Sequence, residues 1–173
     1  MPTSLGSFVR SLVLCAACAA LAPPSAYGQS LKEQLSGAWT LVSWTRVVAE
    51  TEEPGLMGRD AIGQIMFAGD GHMCFNAMRR NRPPFASPEF QPGTPEEKAA
   101  AYDGYVGYCG RYEVNEQERS VIFRLELSSY PNLTATAQKR FVEIAGNRLK
   151  IKSPPIPVRG TLAVNTVVWE RAK

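Results

Sequence analysis

The chain has 173 residues, 45% of them hydrophobic, with 19 basic side chains set against 16 acidic ones. That near-balance gives no electrostatic footprint for nucleic acid or an anionic membrane surface, and a single histidine leaves no recognisable ligand set for a metal. The length suits one domain with a sizeable core, and no cofactor is expected.

Residues 1–28 combine Arg10, an apolar run from Ser11 to Leu21, Pro23-Pro24 and a small-residue site at Ala26-Tyr27-Gly28. This three-part layout is that of a secretory signal peptide cleaved after Gly28, so residues 29–173 are expected to form a periplasmic or secreted domain. The competing reading is a lipoprotein modified at Cys18. Against it, Cys15 stands where a large aliphatic residue is usual, and a proline-rich tail would follow the modified cysteine. The apolar run is too short for a stable bilayer span, and no later segment is apolar enough, so no integral membrane segment is expected after processing.

Ser30 followed by LKEQL, with Glu33 three residues on, is a capping-box pattern for a short helix closing one end of the domain. Ser36 to Val47 then reads as the first strand. Strict alternation would turn Trp39, Leu41, Ser43, Thr45 and Val47 one way and Thr40, Val42, Trp44 and Arg46 the other. Ala49 to Asp60, with Pro54, Gly55 and Gly58, reads as an acidic loop. Ile62 to Ala68, a turn at Gly69-Asp70-Gly71, and His72 to Met78 form a hairpin, since glycines beside Asp70 supply the positive φ of a tight turn. His72 is the sole candidate for a catalytic base. At a hairpin exit it reads instead as an exposed, uncatalytic side chain, and no catalytic residue is assigned.

Arg79-Arg80-Asn81-Arg82 opens a span to Pro95 whose five prolines forbid a regular ladder. Loops of such length are often functional, and this one is expected to be the mobile lid. Thr94-Pro95-Glu96-Glu97 starts a helix reaching about Tyr102, with a hydroxyl cap, proline at the first position and carboxylates at the positive dipole end. The strand Tyr108 to Val114 follows, with Tyr108 and Tyr112 inward. A tyrosine suits either a wet cavity wall or core packing. Ser120 to Ser128 alternates Val121, Phe123, Leu125 and Leu127 against Ile122, Arg124 and Glu126. In Gln138 to Ile144, Arg140 shares a face with Val142 and Ile144. A buried arginine needs a partner, for which Glu126 is the first candidate. Leu149 to Lys152, a proline-rich loop from Ser153 to Gly160, and a closing strand from Thr161 to Arg171 complete the chain.

With no parallel crossover and about eight strands, the expected fold is all-β: an antiparallel up-and-down barrel with a short N-terminal helix and a second helix in the proline-rich insertion. Two cysteines, Cys74 and Cys109, survive processing inside predicted strands. In an oxidising compartment a disulfide is expected, two free buried thiols being the alternative.

LSGAWTLVSW, DGHM, YCGRYEV, a Pro-Asn with Arg140 eight residues beyond it, and VVWER, in that order from Leu31 to Arg171, resemble the bacterial and fungal lipocalin-like domain family. The resemblance implies a calycin-type barrel in which Trp39, from Gly-x-Trp, lies beneath Arg171 of the last strand. It points to a scaffold more than to a chemistry. The leading functional expectation is a protein enclosing a small apolar or amphipathic molecule in a barrel cavity. Phe67, Phe75, Tyr108, Tyr112 and Arg140 would line it, and Arg140 or Arg124 would anchor an acidic group. A barrel enzyme of isomerase or cyclase type, moving a proton between Glu126 and a tyrosine, is the second reading. A structural partner of an envelope protein, docking through an exposed apolar patch, is the third.

Overall fold

The computed structural model describes residues 28–90, 92–158 and 160–173, so the expected leader, apart from Gly28, lies outside the described residues. Helix α1 (Leu31–Leu35) starts at the anticipated capping box: the Glu33 amide donates to Ser30 Oγ at 3.2 Å, and the Ser30 amide to Glu33 Oε2 at 2.8 Å. Its first free amide, on Leu31, donates to the Glu116 carboxylate at 2.9 Å. Leu31 and Leu35 are thereby held against the core, where both are buried.

The strands are β1 (Gly37–Val48), β2 (Thr51–Pro54), β3 (Ile62–Phe67), β4 (His72–Met78), β5 (Tyr105–Asn115), β6 (Ser120–Ser128), β7 (Ala137–Ala145), β8 (Arg148–Lys152), β9 (Ile156–Val158) and β10 (Thr161–Arg171). Eight of them, β1-β3-β4-β5-β6-β7-β8-β10, pair in that order, and β10 returns to β1 to close an antiparallel barrel. The two others stand outside the ring. β2 folds back on the end of β1, and β9 on the start of β10. Both lie in segments expected to be loops, because their short, proline-containing sequences carry no periodicity and only pairing with a neighbour makes them strands.

Two bulges correct the expected alternation. In β1 the register shifts between Leu41 and Ser43, so Trp44 and Arg46 face inward with Trp39 and Leu41. Between β5 and β6 it shifts after Cys109, where Glu126 is the extra residue; Leu127 is turned outward and is 68% exposed. One inserted residue exchanges the two faces of everything beyond it.

Cys74 and Cys109 are direct cross-strand partners, 4.1 Å apart at Cα, and are joined as a disulfide. The last strand is latched to the first as the resemblance implied. The Arg171 guanidinium lies 4.1 Å from the centre of the Trp39 ring, donates to the Ser36 carbonyl at 2.9 Å and to the Gln34 carbonyl at 2.8 Å, and so satisfies carbonyls at the end of α1. The Trp39 indole N–H donates to the Leu35 carbonyl at 2.8 Å. Gly37 has φ +118°, and a Cβ there would sit 3.2 Å from Arg171 Nη1, so the latch itself requires glycine in Gly-x-Trp. Arg171→Lys keeps the charge but loses the planar fork, and is expected to lower stability by about 1 to 2 kcal/mol in urea unfolding. Arg46→Lys serves as the comparison, because Arg46 engages Glu53 at 2.6 Å instead. Equal stability of Arg171→Lys and the parent would mean the latch contributes nothing.

Candidate functional site

The barrel interior is closed by aromatic side chains at one end and carries polar side chains toward the other, here termed the open end. At the α1 end, Phe67 meets Tyr112 edge-on at 5.1 Å and Phe123 at 6.0 Å, and the Tyr112 hydroxyl donates to the Ala68 carbonyl at 3.0 Å. With exposures of 2% and 4%, Phe67 and Tyr112 are packed into a floor, so for Tyr112 the core-packing reading holds. Halfway up, Phe75 stacks on Tyr108 at 4.7 Å and meets Trp169 at 5.7 Å and Trp44 at 5.9 Å, both edge-on. Side chains therefore fill the middle of the barrel, which corrects the expectation of an empty interior at that level.

Toward the other end the inward positions change character. Trp44, Arg46, Tyr108, Gln138, Arg140 and Asn165 gather there, each still partly reached by solvent. The Trp44 indole donates to Asn165 Oδ1 at 3.0 Å, and the Asn165 backbone N–H donates to Ser153 Oγ at 3.0 Å. Arg140 pairs in register with Val121, which is wholly buried, so its side chain starts from the inner face. Its guanidinium donates to the Lys139 carbonyl at 2.8 Å and to the Gln138 side-chain oxygen. Burial pushes the Arg140 guanidinium down from its usual range, while the neighbouring Tyr108 acts in the opposite sense. Burial likewise pushes the Tyr108 phenol up, partly offset by the charge on Arg140.

Arg124 and Glu126 do not belong to this set. Both point out of the barrel, Arg124 forming a two-bond pair with Glu113 at 2.6 and 3.1 Å and Glu126 lying 3.4 Å from Arg111. The expected Glu126 partnership with Arg140 is corrected accordingly: Arg124 lies on the outer face of β6, and Glu126 is the bulged residue itself, turned out beside Arg111. His72 is exposed beside Asp70, 3.0 Å away, and the His72 backbone N–H holds the Asp70 carboxyl below the usual carboxylate range.

The cover over the open end also differs from expectation. The proline-rich insertion bonds mainly to the helix that follows it: the Ala86 amide donates to Glu97 of α2 (Pro95–Asp103) at 2.9 Å, Arg82 donates to the Ala101 carbonyl at 3.0 Å, and its guanidinium lies 5.7 Å from the Tyr105 ring. The β2–β3 loop instead enters the interior. The Gly55 amide donates to the Trp44 carbonyl at 2.9 Å, and a Cβ at Gly55 would fall 2.3 Å from the Trp44 ring. Two residues on, Met57 is buried in the core. Nothing in the loop's acidic sequence marks Met57 as a core residue; its lone position among charges hid it. A cleft of about 390 Å³ lies where β1 parts from β3, lined by Leu41, Ile62, Ala77, Met78, Arg80 and Tyr105. Among the described residues no helix is long and apolar enough to cross a membrane.

Residues 36–172 match the family model described as "Lipocalin-like domain". The chain is also similar to a curated protein of Aspergillus oryzae named as a 4'-hydroxy-3'-methoxypropiophenone carrier protein. The two are 34% identical over 106 residues, which span 57% of this chain and 96% of that protein. No solved structure matches the chain. A closed eight-stranded barrel latched by Arg171 over Trp39, together with a family match across nearly the whole described chain, shows that the protein belongs to the lipocalin-like domain family.

Proposed function

We propose that the protein is an exported carrier that holds a small apolar or amphipathic molecule at the open end of its barrel, against the Phe75–Tyr108 stack and beneath the β2–β3 loop. One observation carries the reading: the interior changes from a sealed aromatic floor to a set of half-buried aromatic and polar side chains, Trp44, Tyr108, Arg140 and Asn165 among them. A core evolved for stability alone would not place Arg140 and Tyr108 there. The relative named as a carrier of an aromatic ketone supports the same reading. Export is supported by the leader-like residues 1–28 and by a disulfide that suits an oxidising compartment. The enzymatic alternative lacks its carboxylate, since Glu126 stands outside the barrel against Arg111.

Titration of the purified protein with 4'-hydroxy-3'-methoxypropiophenone, followed by tryptophan fluorescence, tests the proposal, because Trp44 faces the site. Saturable quenching with a Kd on the order of micromolar is expected, and Tyr108→Leu should weaken it about tenfold by removing the stacked wall. Linear, non-saturating quenching with this compound and with a panel of other small aromatics would overturn it.

A further inference from the structure

Among the described residues, Arg140 is an inward-facing arginine that the fold supplies with neutral acceptors and no carboxylate, whereas Arg82, beneath the proline-rich insertion, has a buried Nε with no hydrogen-bond partner. Arg46, the other inward-facing arginine of the open end, has Glu53 at 2.6 Å. The remaining ion pairs sit on the outer surface and occupy their own carboxylates: Glu113 with Arg124, Glu118 with Lys139, Glu126 with Arg111, Glu143 with Lys150, and Glu170 with Arg148. Among the described residues no carboxylate oxygen lies within 4.0 Å of the Arg140 guanidinium. Its hydrogen-bond acceptors are a backbone carbonyl and an amide oxygen, both neutral. A guanidinium has five N–H donors in a planar fork, a geometry that matches a carboxylate. Holding that charge in a low-dielectric interior without a counter-charge is costly, and natural sequences retain such groups where a ligand completes them. Tyr108, another inward-facing side chain of that end, is fixed by its stack on Phe75 and offers a second polar atom on a rigid apolar wall.

We infer that Arg140, with Tyr108 of the same end, is the anchor for the anionic head of a small monoacid, a carboxylate or a phenolate, whose apolar body lies along the Phe75 side of the open end. The inference rests on the carrier reading and narrows its ligand class: a neutral molecule of the same shape leaves the charge uncompensated and binds more weakly. The two groups hold the ligand; no bond is made or broken.

Isothermal titration of the full mature chain with trans-cinnamate and trans-cinnamamide tests this, because the probes share a shape and differ in charge. The unmodified protein should bind the acid about tenfold or more tightly than the amide. Arg140→Met should bring the acid to the affinity of the amide, leave the amide within about twofold, and raise the melting temperature because a lone buried charge is gone. Arg140→Gln gives the same readout should methionine not pack. Equal affinities for both probes in the parent protein, or an acid preference that survives in both variants, would overturn the anchor and leave the carrier reading standing. Loss of both affinities together with a lowered melting temperature would make Arg140 a structural residue and overturn it as well. If neither probe binds the parent protein at all, the carrier reading falls for small aromatics, and the anchor with it.

Discussion

Reducing the Cys74–Cys109 bridge should lower the unfolding free energy by about 3 to 4 kcal/mol, the loop-closure entropy expected for a cross-link of this span. The two cysteines are 35 positions apart, and the chain between them includes the proline-rich insertion and α2, a helix with no buried residue. Such a connection restrains β4 and β5 weakly, so their ladder depends on the cross-link more than a tight hairpin would. Urea unfolding of oxidised and reduced protein, with the Cys74→Ala/Cys109→Ala double variant as a third sample, measures the effect. Coincident midpoints for all three would show that the ladder alone holds the strands.

Gly110→Ala should be the most damaging single methyl in the barrel. A Cβ at that position would lie 2.0 Å from the Arg124 carbonyl oxygen, 2.9 Å from its carbon and 3.0 Å from the Glu126 amide nitrogen, all of them backbone atoms that cannot rotate away. The site is the β5–β6 bulge, where the partner strand is drawn in against β5. Relief requires parting the two strands at the level of Leu125, and the expected cost is roughly 3 kcal/mol or more, at the upper end for an overpacked core. Gly69→Ala is the control, since a Cβ there meets nothing within 4 Å and its backbone needs no positive φ. If Gly110→Ala unfolds at the same urea concentration as Gly69→Ala, the close approach of the strands is not a constraint.

The elements most legible in the sequence were those fixed by local chemistry or by a single possible partner. Ser30 and Glu33 announce α1, Thr94 and Pro95 announce α2, and two cysteines in adjacent predicted strands had one another to pair with. Trp39 and Arg171 were readable only through the family resemblance, because nothing local links residues on the first and last strands. Face assignments failed where a bulge intervened. Trp44 and Arg46 were placed opposite Trp39, and Leu127 beside Leu125, since an inserted residue leaves no compositional trace. The candidate site was legible in part for the same reason. Tyr108 and Arg140 lie on unbroken stretches and were given the inner face, whereas the proposed partner Glu126 is itself the inserted residue, and Met57 is an isolated apolar side chain in an acidic loop.

The seam between β1 and β10 sets the timetable of folding. Ser36 and Arg171, joined there by a hydrogen bond, are 135 positions apart, so the ring cannot close until its last strand is available. Until then β1 and β8 are open edges with unpaired backbone groups, and their inward faces lack the side chains of β10. Contacts this distant in sequence are slow to form, because loop-closure entropy must be met before they return any stabilisation. The hairpins β3–β4 and β7–β8 can assemble early and wait. Any partly folded chain that has not yet docked β10 exposes two such margins, and these are the edges through which a neighbouring copy could pair with it.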